Sequence, residues 1–122
     1  MADISGRRVL VVEDEALVLM LLTDMVEESG AVVVGPASTV AEALELAQDA
    51  DIEAALLDVN LNGQPVFPVA AALRARGVPF AFLTGYGRAG LPDEYADASV
   101  LQKPFQFDHL MERLQALLVP AN

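Results

Sequence analysis

The chain has 122 residues, 54% of them hydrophobic, which is the commonest size for one domain and too apolar for a disordered chain. Its net charge of −11 argues against nucleic-acid phosphates and anionic lipid as partners. The absence of cysteine excludes disulfides, thiolate nucleophiles and zinc–thiolate centres, and a single His makes a Ser-His-Asp or multi-histidine metal site improbable.

In chain order, the polar start Met1 to Arg8 lacks the uninterrupted apolar stretch of a signal peptide. Val9-Leu10-Val11-Val12 is a short β-branched run suited to a parallel strand buried on both faces. Glu15 to Ser29 reads as a helix that Gly30 stops. Its apolar run Ala16 to Leu22 is too short to cross a bilayer and is expected to pack on the sheet, although it is wider than one face needs. Ala31 to Val34 is a second strand, expected to end at Gly35-Pro36. Thr39 with Glu42 forms a capping box for a helix with Val40, Ala43, Leu44 and Ala47 on one face.

Ala54 to Leu57 is a third strand, with Asp58 at its end and a loop at Gly63-Gln64-Pro65. A helix follows from about Phe67 to Arg76, with Pro68 in its first turn. Phe80 to Leu83 is a fourth strand. The glycine-rich segment after it allows at most a turn or two around Asp93-Glu94-Tyr95. Ser99 to Gln102 is a fifth strand, and Phe107, Leu110, Met111, Leu114, Leu117 and Leu118 mark the inner face of a last helix. The alternation predicts an α/β fold, a doubly wound five-stranded parallel sheet flanked by helices, formed by one domain over residues 1–122 with no output domain. A cytoplasmic location is expected.

Ligand sites in open α/β sheets lie at the carboxyl ends of the strands. There this chain turns from apolar to polar: Glu13, Asp14 and Glu15 after the first strand, Asp58 and then Asn60 after the third, Thr84 and Gly85 after the fourth, Lys103 and Pro104 after the fifth. Each has a plain structural reading, as a helix-start acid, a turn residue, a strand end or a solvated charge. Such readings hold singly and fail for the set. Three carboxylates a few ångströms apart cannot all ionise without a cation, and hard oxygen donors suit Mg²⁺. A carboxylate beside Mg²⁺ can attack phosphorus to form an acyl phosphate. Lys103, the Thr84 hydroxyl and the backbone N–H groups of Asn60 and Gly85 could then surround the phosphoryl oxygens.

The motifs Leu10-Val11-Val12-Glu13-Asp14-Glu15, Leu56-Leu57-Asp58-Val59-Asn60, Leu83-Thr84-Gly85 and Gln102-Lys103-Pro104-Phe105 stand in order at the strand ends. With them the whole chain resembles the receiver domain of two-component response regulators, which have a flavodoxin-like fold. The resemblance implies that Asp58 is the phospho-acceptor and Asp14 a direct Mg²⁺ ligand. It implies that Glu13 acts on the metal through water, that Asn60 offers its backbone carbonyl, and that Thr84 and Lys103 bind the phosphoryl group. It also implies a cis Lys103–Pro104 bond. Pro79-Phe80-Ala81-Phe82-Leu83-Thr84-Gly85-Tyr86-Gly87 is similar to the Phe-Ala-Thr-Gly-Tyr-Gly type motif of alphaproteobacterial single-domain regulators, with Leu83 in place of the motif's alanine. Those regulators are linked to general stress signalling and to histidine kinases of the HWE/HisKA2 kind. Val100 stands where many receivers carry a switch aromatic, so Tyr86 or Phe82 is the expected substitute.

Two functions follow. The first is a stand-alone, monomeric phosphoacceptor, not an enzyme, served by a histidine kinase or histidine phosphotransferase. The second is a Mg²⁺-dependent phosphohydrolase with Asp58 as nucleophile. Asn60, two residues on, cannot act as the general acid that such phosphatases place there, which favours the first.

Overall fold

The computed structural model describes residues 3–85 and 87–119. Seven strands and four α-helices follow one another as β1 (Arg8–Val12), α1 (Ala16–Glu28), β2 (Val32–Ala37), α2 (Val40–Asp49), β3 (Ala54–Asp58), β4 (Asn60–Leu61), β5 (Gln64–Pro65), α3 (Phe67–Ala75), β6 (Phe80–Thr84), β7 (Ser99–Gln102) and α4 (Phe107–Leu118). Two short 3₁₀ turns, Gly87–Gly90 and Asp93–Tyr95, connect β6 to β7. Five strands pair in parallel in the order β2-β1-β3-β6-β7, and β4 and β5 form a separate antiparallel hairpin.

Alternation along the buried strands builds a core on each side of the sheet. Leu10, Val12, Leu57 and Phe82 pack with Ala43 and Ala47 of α2 and Val69 and Leu73 of α3. Val9, Val11, Leu56 and Leu83 pack with Leu22 and Val26 of α1 and Leu110 and Leu114 of α4. The strands are apolar on both faces because helices cover both. No helix of the described residues is long and apolar enough to cross a membrane.

Three details differ from the sequence reading. β2 runs on through Gly35 and the cis Gly35–Pro36 bond to Ala37, with the register to β1 shifting between Leu10 and Val12. β2 is an edge strand, where a proline without N–H is tolerated. The Gly63-Gln64-Pro65 loop is instead the far half of the β4–β5 hairpin. In α1 only Leu22 of the apolar run is fully buried, while Leu17, Met20 and Leu21 are exposed, so the run does not pack on the sheet as a whole.

Helix ends follow local chemistry. Gly30, with φ of +92°, takes the left-handed position just past α1 that a side chain would strain. At α2 the Glu42 N–H donates to Thr39 Oγ1 at 3.1 Å, and Glu42 Oε1 accepts from the Thr39 hydroxyl at 3.1 Å. Thr39→Ala is expected to cost about 1 kcal/mol and lower Tm by about 4 °C, read by thermal melting.

Candidate functional site

The sheet order reverses between β1 and β3, and their carboxyl ends carry the acids. Glu13 is fully buried. Its Oε1 accepts from the Glu15 N–H at 3.2 Å, and its Oε2 accepts from Lys103 Nζ at 2.8 Å. The same ammonium lies 3.5 Å from Asp58 Oδ1. Asp14 Oδ2 accepts from the Asn62 N–H at 2.8 Å. One carboxylate oxygen from each of Glu13, Asp14 and Asp58 lies within 4.8 Å of the other two. The Lys103 N–H donates to the Thr84 carbonyl at 2.8 Å, which ties the loop after β7 to the end of β6. The Lys103–Pro104 bond is cis, as expected. Beside Asp58, a cleft of about 200 Å³ is lined by Val59, Asn60, Leu83, Thr84, Gly85 and Gly90.

The candidate site residues Glu13, Asp14, Asp58, Asn60, Thr84, Gly85 and Lys103 thus lie together at one end of the sheet. Glu13 and Thr84 are buried, and Asn60 is exposed at the rim of the cleft. His109, read as an exposed helix residue, is exposed. Tyr86 lies outside the described residues. Sequence reasoning missed Asn62, whose main chain, not its side chain, touches the acids. The Asn62-Gly63 pair, a strong hairpin dipeptide, was the available signal.

The environment separates the two aspartates. Burial, and then the neighbouring Glu13 charge, push the Asp58 carboxyl up to about 7, against the pull of Lys103. Burial works to raise Asp14 as well, but hydrogen bonds from the Asn62 N–H and with Asp58 outweigh it and hold Asp14 below its ordinary value. Burial alone would lower the Lys103 ammonium; its hydrogen bond to Glu13 and the charge of Asp58 raise it instead. Two nearby carboxylates with opposite shifts are equipped for different roles. Clustered hard oxygen donors, one of them costly to ionise without added positive charge, fit a small divalent cation such as Mg²⁺.

Residues 9–115 match the family model of the response regulator receiver domain. The chain belongs to the response regulator receiver domain family. Receiver domains as a family accept phosphoryl groups from histidine kinases or phosphotransferases, and one solved receiver holds magnesium in its active-site cleft. It is 41% identical over 124 aligned positions to the transcriptional regulatory protein TcrA of Mycobacterium tuberculosis, covering 93% of this chain and 47% of that one. The chain spans about half the length of the relatives it matches, with 55% for PdtaR of the same organism. Among solved structures, SdrG from Sphingomonas melonis Fr1 is 44% identical with a TM-score of 0.82, covering 98% of this chain and 100% of that one. The receiver domain of the sensor histidine kinase PA1611 from Pseudomonas aeruginosa, which holds a magnesium ion in its active-site cleft, is 25% identical with a TM-score of 0.79 over 93% of this chain and 98% of that one.

Proposed function

We propose that Asp58 is the phospho-acceptor of a stand-alone receiver. The carrying observation is the Asp58 carboxylate set at the switch point, with Lys103 Nζ 3.5 Å away and Glu13 and Asp14 beside it. The Asp14 and Asp58 carboxylates and the Asn60 backbone carbonyl would hold Mg²⁺, with Glu13 acting through water. The metal supplies charge neutralisation at the transferring group. An Asp58 oxygen attacks phosphorus. The phosphorus–nitrogen bond of the donor phosphohistidine breaks, its electron pair stays on the imidazole, and an acyl phosphate remains on Asp58. Lys103, the Thr84 hydroxyl and the N–H groups of Asn60 and Gly85 receive the phosphoryl oxygens.

The donor is a histidine kinase, of the HWE/HisKA2 kind, or a histidine phosphotransferase. The exposed Leu17, Met20 and Leu21 offer it an apolar face on α1. An apolar groove of about 270 Å³ between Val18, Leu21, Pro104 and Phe105 leads from that face to Lys103. A role in general stress signalling is supported by the similarity of the Phe80–Gly87 motif to that of the alphaproteobacterial single-domain regulators.

The test is labelling by acetyl phosphate and by a phosphorylated histidine phosphotransferase. Wild type takes up label only with Mg²⁺, and Asp58→Asn takes up none. Uptake by Asp58→Asn at the wild-type rate sinks the assignment. The phosphohydrolase reading would require many turnovers of p-nitrophenyl phosphate, and at most a slow loss of the acyl phosphate is expected.

A further inference from the structure

The β4–β5 hairpin begins two residues after Asp58 and joins two parts of the site. Its register pairs Asn60 with Pro65 and Leu61 with Gln64, leaving Asn62 and Gly63 as a two-residue turn. Both have positive φ, +52° and +84°, the type I′ arrangement that Asn-Gly favours. Leu61 is buried and anchors the hairpin in the core beneath α3. In this conformation the Asn62 N–H points out of the turn and donates to Asp14 Oδ2 at 2.8 Å, across 48 residues of sequence. A donor to a charged carboxylate makes a strong, orienting bond.

The same ladder governs Asn60. The Val66 N–H donates to the Val59 carbonyl at 2.9 Å, so Val59 and Val66 form a hydrogen-bonded pair. Antiparallel pairs alternate, which makes Asn60 and Pro65 the non-bonded pair, with the Asn60 N–H and C=O turned away from β5. Pro65 has no N–H to offer in any case. One turn therefore orients the Asp14 carboxylate and leaves the Asn60 carbonyl unclaimed by the hairpin.

We propose that the Asn62-Gly63 turn is a positioning element for divalent-cation binding, acting through Asp14 and the Asn60 carbonyl. The inference rests on the reading of those two groups as Mg²⁺ ligands. Its test is the Mg²⁺ dissociation constant of the unphosphorylated protein by calorimetry, with thermal melts in EDTA as a measure of fold alone. A Cβ added at Gly63 would meet nothing within 4 Å, so Gly63→Ala strains the turn dihedral without a clash. Asn62→Val strains the preceding position. Asn62→Gly and Gly63→Asn tolerate positive φ and keep the N–H.

Gly63→Ala and Asn62→Val are expected to weaken Mg²⁺ at least fivefold, and Asn62→Gly and Gly63→Asn to stay within twofold of wild type. A purely structural turn would lower the melting temperature in EDTA and leave the dissociation constant unchanged. Equal Mg²⁺ affinity in wild type and all four variants overturns the inference while the ligand reading stands. A wild type indifferent to Mg²⁺, matching Asp14→Ala, overturns the ligand reading itself and the inference with it.

Discussion

Without divalent cation, the melting temperature falls as pH rises from about 4.5 to about 7 and is level above that. Asp58 is the cause. Its carboxyl titrates near 7 in the fold, because burial and the Glu13 charge disfavour ionisation, against about 3.9 in the unfolded chain. Between those values the folded state holds a proton that the unfolded state has released, so stability declines with rising pH. Asp14, Glu42 and Glu53, held below their ordinary range, contribute with the opposite sign near and below pH 4, which leaves the upper window to Asp58. Melts from pH 4.5 to 8 in EDTA read the slope directly. Asp58→Asn flattens it and is more stable than wild type at pH 8. Mg²⁺ at 100-fold over its dissociation constant restores about 2.7 kcal/mol to wild type at that pH. A wild-type curve that is flat in EDTA would contradict this account of the site.

The central strands β1, β3 and β6 were legible because each is a short run of apolar residues closed by a polar one, a pattern set by burial on two faces. The site was legible for the same reason: Glu13, Asp14, Asp58, Thr84 and Lys103 are the residues at which the strands stop. Elements decided by pairing were harder to read. β4 and β5 have two residues each, too few for any periodicity, and only the Asn62-Gly63 turn announces them. β2 continues past Pro36 because an edge position removes the usual objection to proline in a sheet, and edge position is a property of strand order. The unbroken run in α1 carries no period and so does not say which residues face the sheet. The structure selects Leu22 and, a turn later, Val26. Tyr95 was the largest omission. It is an aromatic in a Gly- and Pro-rich segment without periodicity, and its burial depends on rings supplied by α3 and β6.

Tyr95→Ala is expected to cost about 3 to 5 kcal/mol and to release the whole connection between β6 and β7. The ring is buried, stacked on Phe67 at 5.5 Å and set edge-on to Phe82 at 5.4 Å. From the outer side the Arg74 guanidinium sits 4.5 Å from its centroid, and Arg74 Nη1 donates to the Glu94 carbonyl at 2.9 Å. A three-residue 3₁₀ turn has little stability of its own, so this aromatic anchor sets the position of Asp93–Tyr95. Tyr95→Phe keeps the rings in contact and should lose far less. Amide exchange from Gly87 to Ala98 is the readout, rising strongly in the alanine variant. Under the proposed phospho-acceptor role of Asp58, the anchor would also give the site a route outward. Phe82 and Thr84 are two apart on β6 and so share one face of the sheet, with Phe82 against Tyr95 and Thr84 lining the cleft beside Asp58. A hydroxyl drawn toward phosphoryl oxygens moves the strand end to which Phe82 belongs, and a bound group shifts the connection only through contacts that differ between its two states. Beryllofluoride with Mg²⁺ is therefore expected to raise exchange across Gly87 to Ala98 in wild type. Thr84→Ala should take up phosphate and leave that exchange unchanged. Identical exchange in wild type with and without beryllofluoride would remove this segment as the switch and point to the Asn60–Gln64 hairpin instead.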